Sequence, residues 1–398
     1  MVDEQKINEI LTRGVEDVIV KDDLKKKLLS NKKIRLYLGV DPTGVDLHLG
    51  HAIVLWKLRA FQELGHEVIL LIGDFTARIG DPSGKDATRK PLSEKEVKAN
   101  MKDYKKQASK ILDFSKVKIK YNSQWLGKLK FDDILRLSAQ FTVQQMIQRD
   151  MFQRRLEQNL PISVQEFMYP LMQGYDSVAM DVDLEVGGND QMFNMLAGRT
   201  LQKNYNNKDK DVMTTKLLLG TDGRKMSKTF NNHIGLADQP NDMFGKVMSI
   251  KDELIGGYLE LATRLPQTEI EEIKEIPNPR EQKAILAKEI VKLYYGEKEA
   301  VKAEEEFDKV FRNKELPSDM PIFETAQKNY PILDLLCLPA GRQATVLASS
   351  KKEARRLVEQ GAVKINGVVE KDWKKIIELQ DGMTIQVGSR RFVKIKIK

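Results

Sequence analysis

This sequence predicts an α/β fold built on a doubly wound parallel sheet, followed by an α-helical domain and a small α+β module. Three observations carry that prediction. Apolar runs at 34–40 and 67–72 read as buried strands on either side of a helical pattern at 52–64, which makes a β-α-β unit. A second strand, turn and helix start at 183–190 repeats the order, with two glycines in its turn. From 239 to 311 the pattern is helical throughout, with breaks at Pro266 and around Pro277 and Pro279, and the end of the chain changes to short alternating strands rich in lysine.

The 398 residues suffice for two or three domains with buried cores. Charged residues make up 31% and hydrophobic ones 41%. No apolar run approaches the roughly 18 residues a membrane span needs, so a soluble, cytoplasmic protein is expected. Residues 1–30 alternate acids and bases, lack the apolar core of a signal peptide, and read as one or two helices. The single cysteine, Cys337, excludes an internal disulfide. Of the net charge of +8, a balance of +7 falls in residues 349–398, where 13 Lys and Arg face 6 Asp and Glu. Such asymmetry points to a polyanionic partner.

Taken in order, the first strand leads into YLGVDPTGVDLHLGH at 37–51, a polar turn that opens a helix. Unpaired N–H groups at a helix start attract phosphate. His48 and His51, two of only four histidines, lie three apart and share a face. Zinc is not expected there, because His66, His233 and Cys337 supply no ligand spacing. The helix at 52–64 ends at Gly65, a plausible cap. The loop at 73–91 follows a strand, where ligands bind in doubly wound sheets, and its GDPSGK lacks the spacing of a Walker loop. Ser93 with Glu96 makes a capping box for a helix to about Phe114, and 117–121 is the next strand. Residues 131–160 read as helical, with Gln148, Arg149, Arg154 and Arg155 as an exposed face more than a phosphate contact.

Ser163 with Glu166 caps a helix on which Tyr169, Gln173 and Asp176 share one face. A phenol, an amide and a carboxylate there need polar partners. The strand at 183–186 runs into Gly187 and Gly188, then a helix from near Asp190, whose carboxylate suits a ribose. A strand at 212–219 leads to GTDGRKMSKTF, where Lys225 and Lys228 can fold over phosphates. Residues 315–331, with three prolines and no periodicity, read as a linker. In the last module a helix capped by Ser350 and Glu353 carries Lys351, Lys352, Arg355 and Arg356, an Asn366-Gly367 turn joins two strands, and the final strand alternates apolar residues with lysine.

Together these residues resemble the bacterial-type tyrosyl-tRNA synthetases over nearly the whole chain. His48-Leu49-Gly50-His51 is similar to the HIGH motif of class I aminoacyl-tRNA synthetases, and Lys225-Met226-Ser227-Lys228-Thr229 to their KMSKS motif. SSKKEARRLVEQGAVKING at 349–367 resembles an S4 RNA-binding domain. The resemblance implies a Rossmann-like catalytic domain at 1–231, a helical anticodon-binding-type domain at 232–314, the linker at 315–331 and an S4-like domain at 332–398. It also implies activation of L-tyrosine by ATP with Mg2+, transfer to tRNA(Tyr), no protein-bound metal, and a homodimer.

By the same resemblance Thr43 and His48 would bind the γ-phosphate side of the transition state, with His51 near the ribose. Lys225, Lys228 and Thr229 would close over pyrophosphate, and Gly39, Asp41, Gly50, Gly188, Asp190 and Gln191 would line ATP and the adenylate. Tyr37 and Asp176 would hold the substrate phenol, Asp81, Tyr169 and Gln173 its ammonium, and Lys351, Lys352, Arg355 and Arg356 the RNA. Three departures stand out: Leu38 where some relatives carry a Cys that touches the ribose, Met192 in place of a Trp, and a longer loop at 338–346. Asp176 and the S4-like tail argue against a tryptophanyl-tRNA synthetase. Intact His48, His51, Lys225 and Lys228 argue against a non-catalytic RNA-binding paralogue, and the basic tail against a small-molecule adenylyltransferase.

Overall fold

Local pattern misses one element of the first thirty residues. Where only helices are expected, α1 (Glu4–Thr12) and α2 (Lys21–Leu29) flank a strand, β1 (Val15–Ile19). It exists because it pairs antiparallel with a strand far along the chain, Val18 opposite Met213, and its short, half-buried pattern gives little local sign of that. The computed structural model describes residues 3–30, 32–42, 47–83, 92–227, 230–312, 316–317, 320–339, 346–388 and 391–398. These form two compact units, Met1–Val301 and Lys302–Lys398.

In the first unit β2 (Arg35–Val40) and β3 (Glu67–Ile72) run parallel, joined by α3 (Leu49–Glu63). Gly65 supports the turn out of that helix with φ +83°. Residues 68–72 are all buried, which explains their unbroken apolar run. The expected capping box starts α4 (Glu94–Ala108): Glu96 N–H donates to Ser93 Oγ at 3.3 Å and Ser93 N–H to Glu96 at 2.8 Å. That helix stops short of Phe114, and Asp113 turns the chain by accepting from Ser115 N–H at 3.1 Å.

After β4 (Val117–Tyr121) and the short α5 (Ser123–Leu126), the stretch expected as one helix is three: α6 (Phe131–Ser138), α7 (Val143–Ile147) and α8 (Asp150–Glu157). Thr142 and Gln145 form a second capping box in its middle, with bonds of 2.8 and 3.2 Å, and so begin a new helix there. Next come α9 (Val164–Met180), β5 (Leu184–Gly188), α10 (Met192–Asn206) and β6 (Asp211–Thr215), the last shorter than the expected 212–219. The sheet order is β1-β6-β5-β2-β3-β4, with β2 to β6 parallel. The chain departs from β2 to one side and returns to β5 on the other, so a crevice opens between their C-terminal ends.

Helices α11 (Pro240–Met248), α12 (Ile255–Ala262), α13 (Gln267–Lys274), α14 (Pro279–Tyr295) and α15 (Glu297–Phe311) follow. Pro240 and Pro279 each occupy a first turn, where a missing N–H is harmless. Tyr258 Oη donates to the Leu219 carbonyl at 2.7 Å, and Arg13 donates to the carbonyls of Glu260, Thr263 and Leu265, which fastens α12 and its C-terminal end to the segments after β6 and before β1.

The second unit holds β7 (Ile322–Thr325), β8 (Asn329–Pro331), α16 (Ile332–Cys337), α17 (Lys351–Glu359), β9 (Val363–Ile365), β10 (Val368–Glu370), β11 (Ile376–Glu378), β12 (Thr384–Val387) and β13 (Arg391–Ile397). Its main sheet runs β10-β9-β12-β13-β7, and β11 pairs with β8. The segment expected as a linker therefore carries two strands. They are only four and three residues long and half-exposed, too short for a periodic signal, and β7 forms by parallel pairing with β13. The Asn366-Gly367 turn joins β9 to β10 as expected, with φ of +47° and +81°. Leu336, Ala354, Val358, Val363 and Ile385 lie at the core of this unit.

Candidate active site

Tyr37 sits on β2 with Glu185 of β5 as its register partner across the crevice. Its side chain is fully buried, and its hydroxyl lies 2.9 Å from Ser177 Oγ. Burial, then the nearby carboxylates of Glu185 and Asp176, push the phenol well above its usual range. Along α9 the spacing of four and three does bring Tyr169, Gln173 and Asp176 onto one wall. Asp176 accepts from Trp125 Nε1 of α5 at 2.7 Å and from Asn122 Nδ2, just after β4, at 3.3 Å. Burial pushes its carboxyl up, and those two donors oppose the rise.

At the other end Tyr169 Oη donates to Asp41 Oδ2 at 2.7 Å, and Thr76 Oγ1 donates to Asp41 Oδ1 at 2.8 Å. Burial and then Asp41 push the Tyr169 phenol up, which keeps it a donor. Asp41, expected at the nucleotide, thus bonds to Tyr169, a residue expected at the substrate ammonium. Gln173 Nε2 donates to Glu185 Oε1 at 3.0 Å, and Gln173 Oε1 accepts from Asn194 at 3.0 Å. Asp81 accepts from Gln191 Nε2 at 2.8 Å and Ser83 N–H at 2.9 Å, so a residue expected at the ammonium touches one expected at the adenylate. Arg149 donates to Ser83 Oγ at 2.7 Å and lies 4.6 Å over the Phe193 ring.

The histidines stand at the start of α3, their ring centroids 3.8 Å apart. His48 N–H donates to His51 Nδ1 at 3.3 Å, which leaves the ring proton of neutral His51 on Nε2. The backbone here is stitched to the segment after the lysine motif: Leu49 N–H donates to the Ile234 carbonyl at 2.9 Å, and Leu236 N–H to the Leu47 carbonyl at 2.8 Å. Lys225 Nζ lies 3.2 Å from Asp190 Oδ2. Asn232, buried, accepts Ser227 N–H at 2.8 Å and donates to Asp222 at 2.7 Å and the Lys225 carbonyl at 3.2 Å. Its bond is the largest of the influences that hold Asp222 down to about 2. Gly39 lies within β2, Gly188 ends β5, and Gly50 follows the first residue of α3. Thr43, Lys228 and Thr229 lie outside the described residues.

Sequence reasoning missed Thr76, Asn122, Trp125, Ser177, Glu185, Asn194, Lys210 and Asn232. Asn122 carried one usable sign, its place at the C-terminal end of a parallel strand. The arginine cluster divides: Arg149 joins the site wall, while Arg155 forms a buried pair with Glu166, 2.6 Å apart. Among the described residues no group of three or more His, Cys, Asp or Glu side chains could hold a metal ion. In the second unit all four expected RNA contacts are exposed on α17. Lys351 pairs with Asp334, and Arg355 lies 4.2 Å over Trp373.

Two family models together match residues 29–387. The class I tRNA synthetases (W and Y) cover residues 29–312, and the tyrosine--tRNA ligase SYY-like C-terminal domain covers 313–387. The tyrosine-tRNA ligase of Thermotoga maritima is 46% identical over 401 residues, 99% of this chain and 98% of its own. That of Coxiella burnetii is 46% identical over 403 residues, spanning 100% of both chains. A C-terminally truncated mitochondrial tyrosyl-tRNA synthetase from Aspergillus nidulans superposes with a TM-score of 0.65 at 26% identity, covering 77% of this chain and 94% of its own. The Archaeoglobus fulgidus tyrosyl-tRNA synthetase complexed with L-tyrosine shares the fold, with a TM-score of 0.59 at 24% identity over 76% of this chain and 100% of its own. With both models matched in sequence and near half of all residues shared along the full length, the chain belongs to the class I tRNA synthetases, and among them to the tyrosine-tRNA ligases.

Proposed function

We propose that the chain makes tyrosyl-adenylate and pyrophosphate from L-tyrosine and ATP, then passes the tyrosyl group to the 3′-terminal adenosine of tRNA(Tyr). Asp176 carries this reading: a buried carboxylate fixed by Trp125 and Asn122, whose charge is felt by the buried Tyr37 phenol. A substrate phenol that donates to Asp176 and accepts from Tyr37 satisfies both. Phenylalanine would leave buried polar groups unpaired, at about 1–3 kcal/mol each. The substrate ammonium meets Asp81, Tyr169 and Gln173.

A tyrosine carboxylate oxygen attacks the α-phosphorus, and the bond to the bridging oxygen of pyrophosphate breaks. No proton need move, because the carboxylate is already the nucleophile, so catalysis is alignment and charge stabilisation. His48 and His51, at the start of α3, serve ATP together with Thr43; Lys225, Lys228 and Thr229 close over pyrophosphate; and Gly39, Asp41, Gly50, Gly188, Asp190 and Gln191 line ATP and the adenylate. Magnesium enters with the nucleotide and neutralises its phosphates. In the second step a hydroxyl of the terminal adenosine attacks the tyrosyl carbonyl and AMP leaves. Residues 1–231 carry this chemistry, while 232–314 and 332–398 hold tRNA, the latter through Lys351, Lys352, Arg355 and Arg356.

Pyrophosphate exchange into ATP should proceed with tyrosine and hardly with tryptophan or phenylalanine; equal exchange with tryptophan would refute the reading. Apolar side chains in 131–164, with Phe131 at 75%, Val143 at 63% and Val164 at 77% exposure, support a homodimer through that region. Sedimentation as a monomer at micromolar concentration would remove that assignment. Among the described residues no helix is long and apolar enough to cross a membrane, and our reading puts the chain in the cytoplasm with its tRNA.

A further inference from the structure

Beneath the amino-acid pocket lies a buried cluster that the reaction itself does not use. Lys210, at 0% exposure, points its ammonium at the Glu185 carboxylate and, 2.9 Å away, at Ser177 Oγ. Glu185 Oε1 accepts from Gln173, and Ser177 Oγ meets Tyr37 Oη. The contacts run without a break from the side chain assigned to the substrate ammonium to the one assigned to its hydroxyl. Gly198 of α10 makes the space, since any side chain there would collide with Lys210 Nζ and Ser177 Oγ. A buried ion pair is often no more stabilising than well-packed apolar residues of the same volume, which directs attention to another use for this one.

The protons supply it. An ammonium only donates, and a carboxylate only accepts. Ser177 Oγ accepts from Lys210, so its single proton has two takers: Glu185 Oε2 at 3.5 Å and Tyr37 Oη at 2.9 Å. Only the second is within good hydrogen-bond distance. Ser177 therefore donates to Tyr37, and the Tyr37 proton is left for the pocket. In the same way Glu185 draws the amide N–H of Gln173, and the Gln173 carbonyl, which accepts from Asn194 at 3.0 Å, keeps a second lone pair as the acceptor.

We propose that the Lys210 and Glu185 pair, acting through Ser177 and Gln173, fixes the hydrogen-bond polarity of both ends of the tyrosine site, a donor at Tyr37 and an acceptor at Gln173. These are positioning residues, and their role rests on the reading of Tyr37 as the phenol contact. The test is a double-mutant cycle of Ser177→Ala and Tyr37→Phe in the full chain, read by pyrophosphate exchange as KM for tyrosine, KM for ATP, and preference for tyrosine over phenylalanine. Ser177→Ala removes one hydroxyl and leaves the fold. It should raise KM for tyrosine about five- to tenfold, leave KM for ATP unchanged, and lower the preference by a similar factor. In the Tyr37→Phe background it should add nothing. No effect of Ser177→Ala in the natural chain, or the same effect in both backgrounds, overturns the relay while the phenol reading stands. A Tyr37→Phe variant with unchanged preference overturns the phenol reading itself.

Discussion

Lys225 Nζ and Asp190 Oδ2 lie 3.2 Å apart, which ties the loop after β6 to the turn after β5. Their side chains remain 57% and 46% exposed, so solvent screens the pair and it is worth no more than about 1 kcal/mol. Under the proposed role of Lys225, an arriving phosphate would displace Asp190 at small cost.

Lys225→Ala should therefore separate chemistry from stability. The rate of pyrophosphate exchange should fall by about a hundredfold, as for loss of one transition-state donor. Unfolding in urea should change by no more than about 1 kcal/mol. A variant that loses stability in step with activity would assign Lys225 to the fold.

Asn232 has the opposite profile. Buried and bonded to Ser227, Asp222 and Lys225, it should cost about 1–3 kcal/mol when replaced by Ala. Because the folded chain holds Asp222 down to about 2, below its unfolded value, the contribution of Asp222 to stability is complete above about pH 4 and is lost as pH falls toward 2. Carboxyl NMR should find Asp222 titrating higher in Asn232→Ala; an unchanged midpoint would count against this account.

Lys57 gives an alkaline signature. Its ammonium is buried against the carbonyls of Ile10 and Arg13, at 2.7 and 2.8 Å. Burial brings its pKa down to about 7, Glu9 opposes, and Arg13 and Arg264 add to the fall. The unfolded chain binds that proton up to about pH 10, so this group's contribution to stability rises with pH from about 7 to about 10. The stability difference between the natural chain and Lys57→Met should shift in favour of the natural chain from pH 7 to pH 9. A difference flat with pH would contradict the assignment.

For RNA, Lys352→Ala and Arg356→Ala should each weaken tRNA binding and lower the slope of log affinity against log salt by about one, with adenylate formation untouched. An unchanged slope would exclude phosphate contacts at these positions. A deletion of 332–398 would also strip β7 and β8 of their partners, so a chain ending at residue 312 is the cleaner truncation.

The groupings that were legible in the sequence are those that follow from spacing on one element. Tyr169, Gln173 and Asp176 share a helix face by arithmetic, and His48 and His51 by the same rule. Asn122 and Trp125 reach Asp176 from a turn fifty residues away in sequence, and Lys210 meets Glu185 only because β5 and β6 are neighbours. No local pattern encodes such meetings. The fold shows the same division: β3, buried on all sides, announced itself, whereas β1, β7 and β8 are short, partly exposed strands defined by their partners.

The stitching of Leu47 and Leu49 to residues 234 and 236 uses main-chain atoms alone. Any amino acid but proline at 49 and 236 can make those bonds, so the His48 side chain between Leu47 and Leu49 is not what holds the two segments together. Position 48 can therefore change its side chain while these main-chain bonds, and the closeness of the two segments, persist.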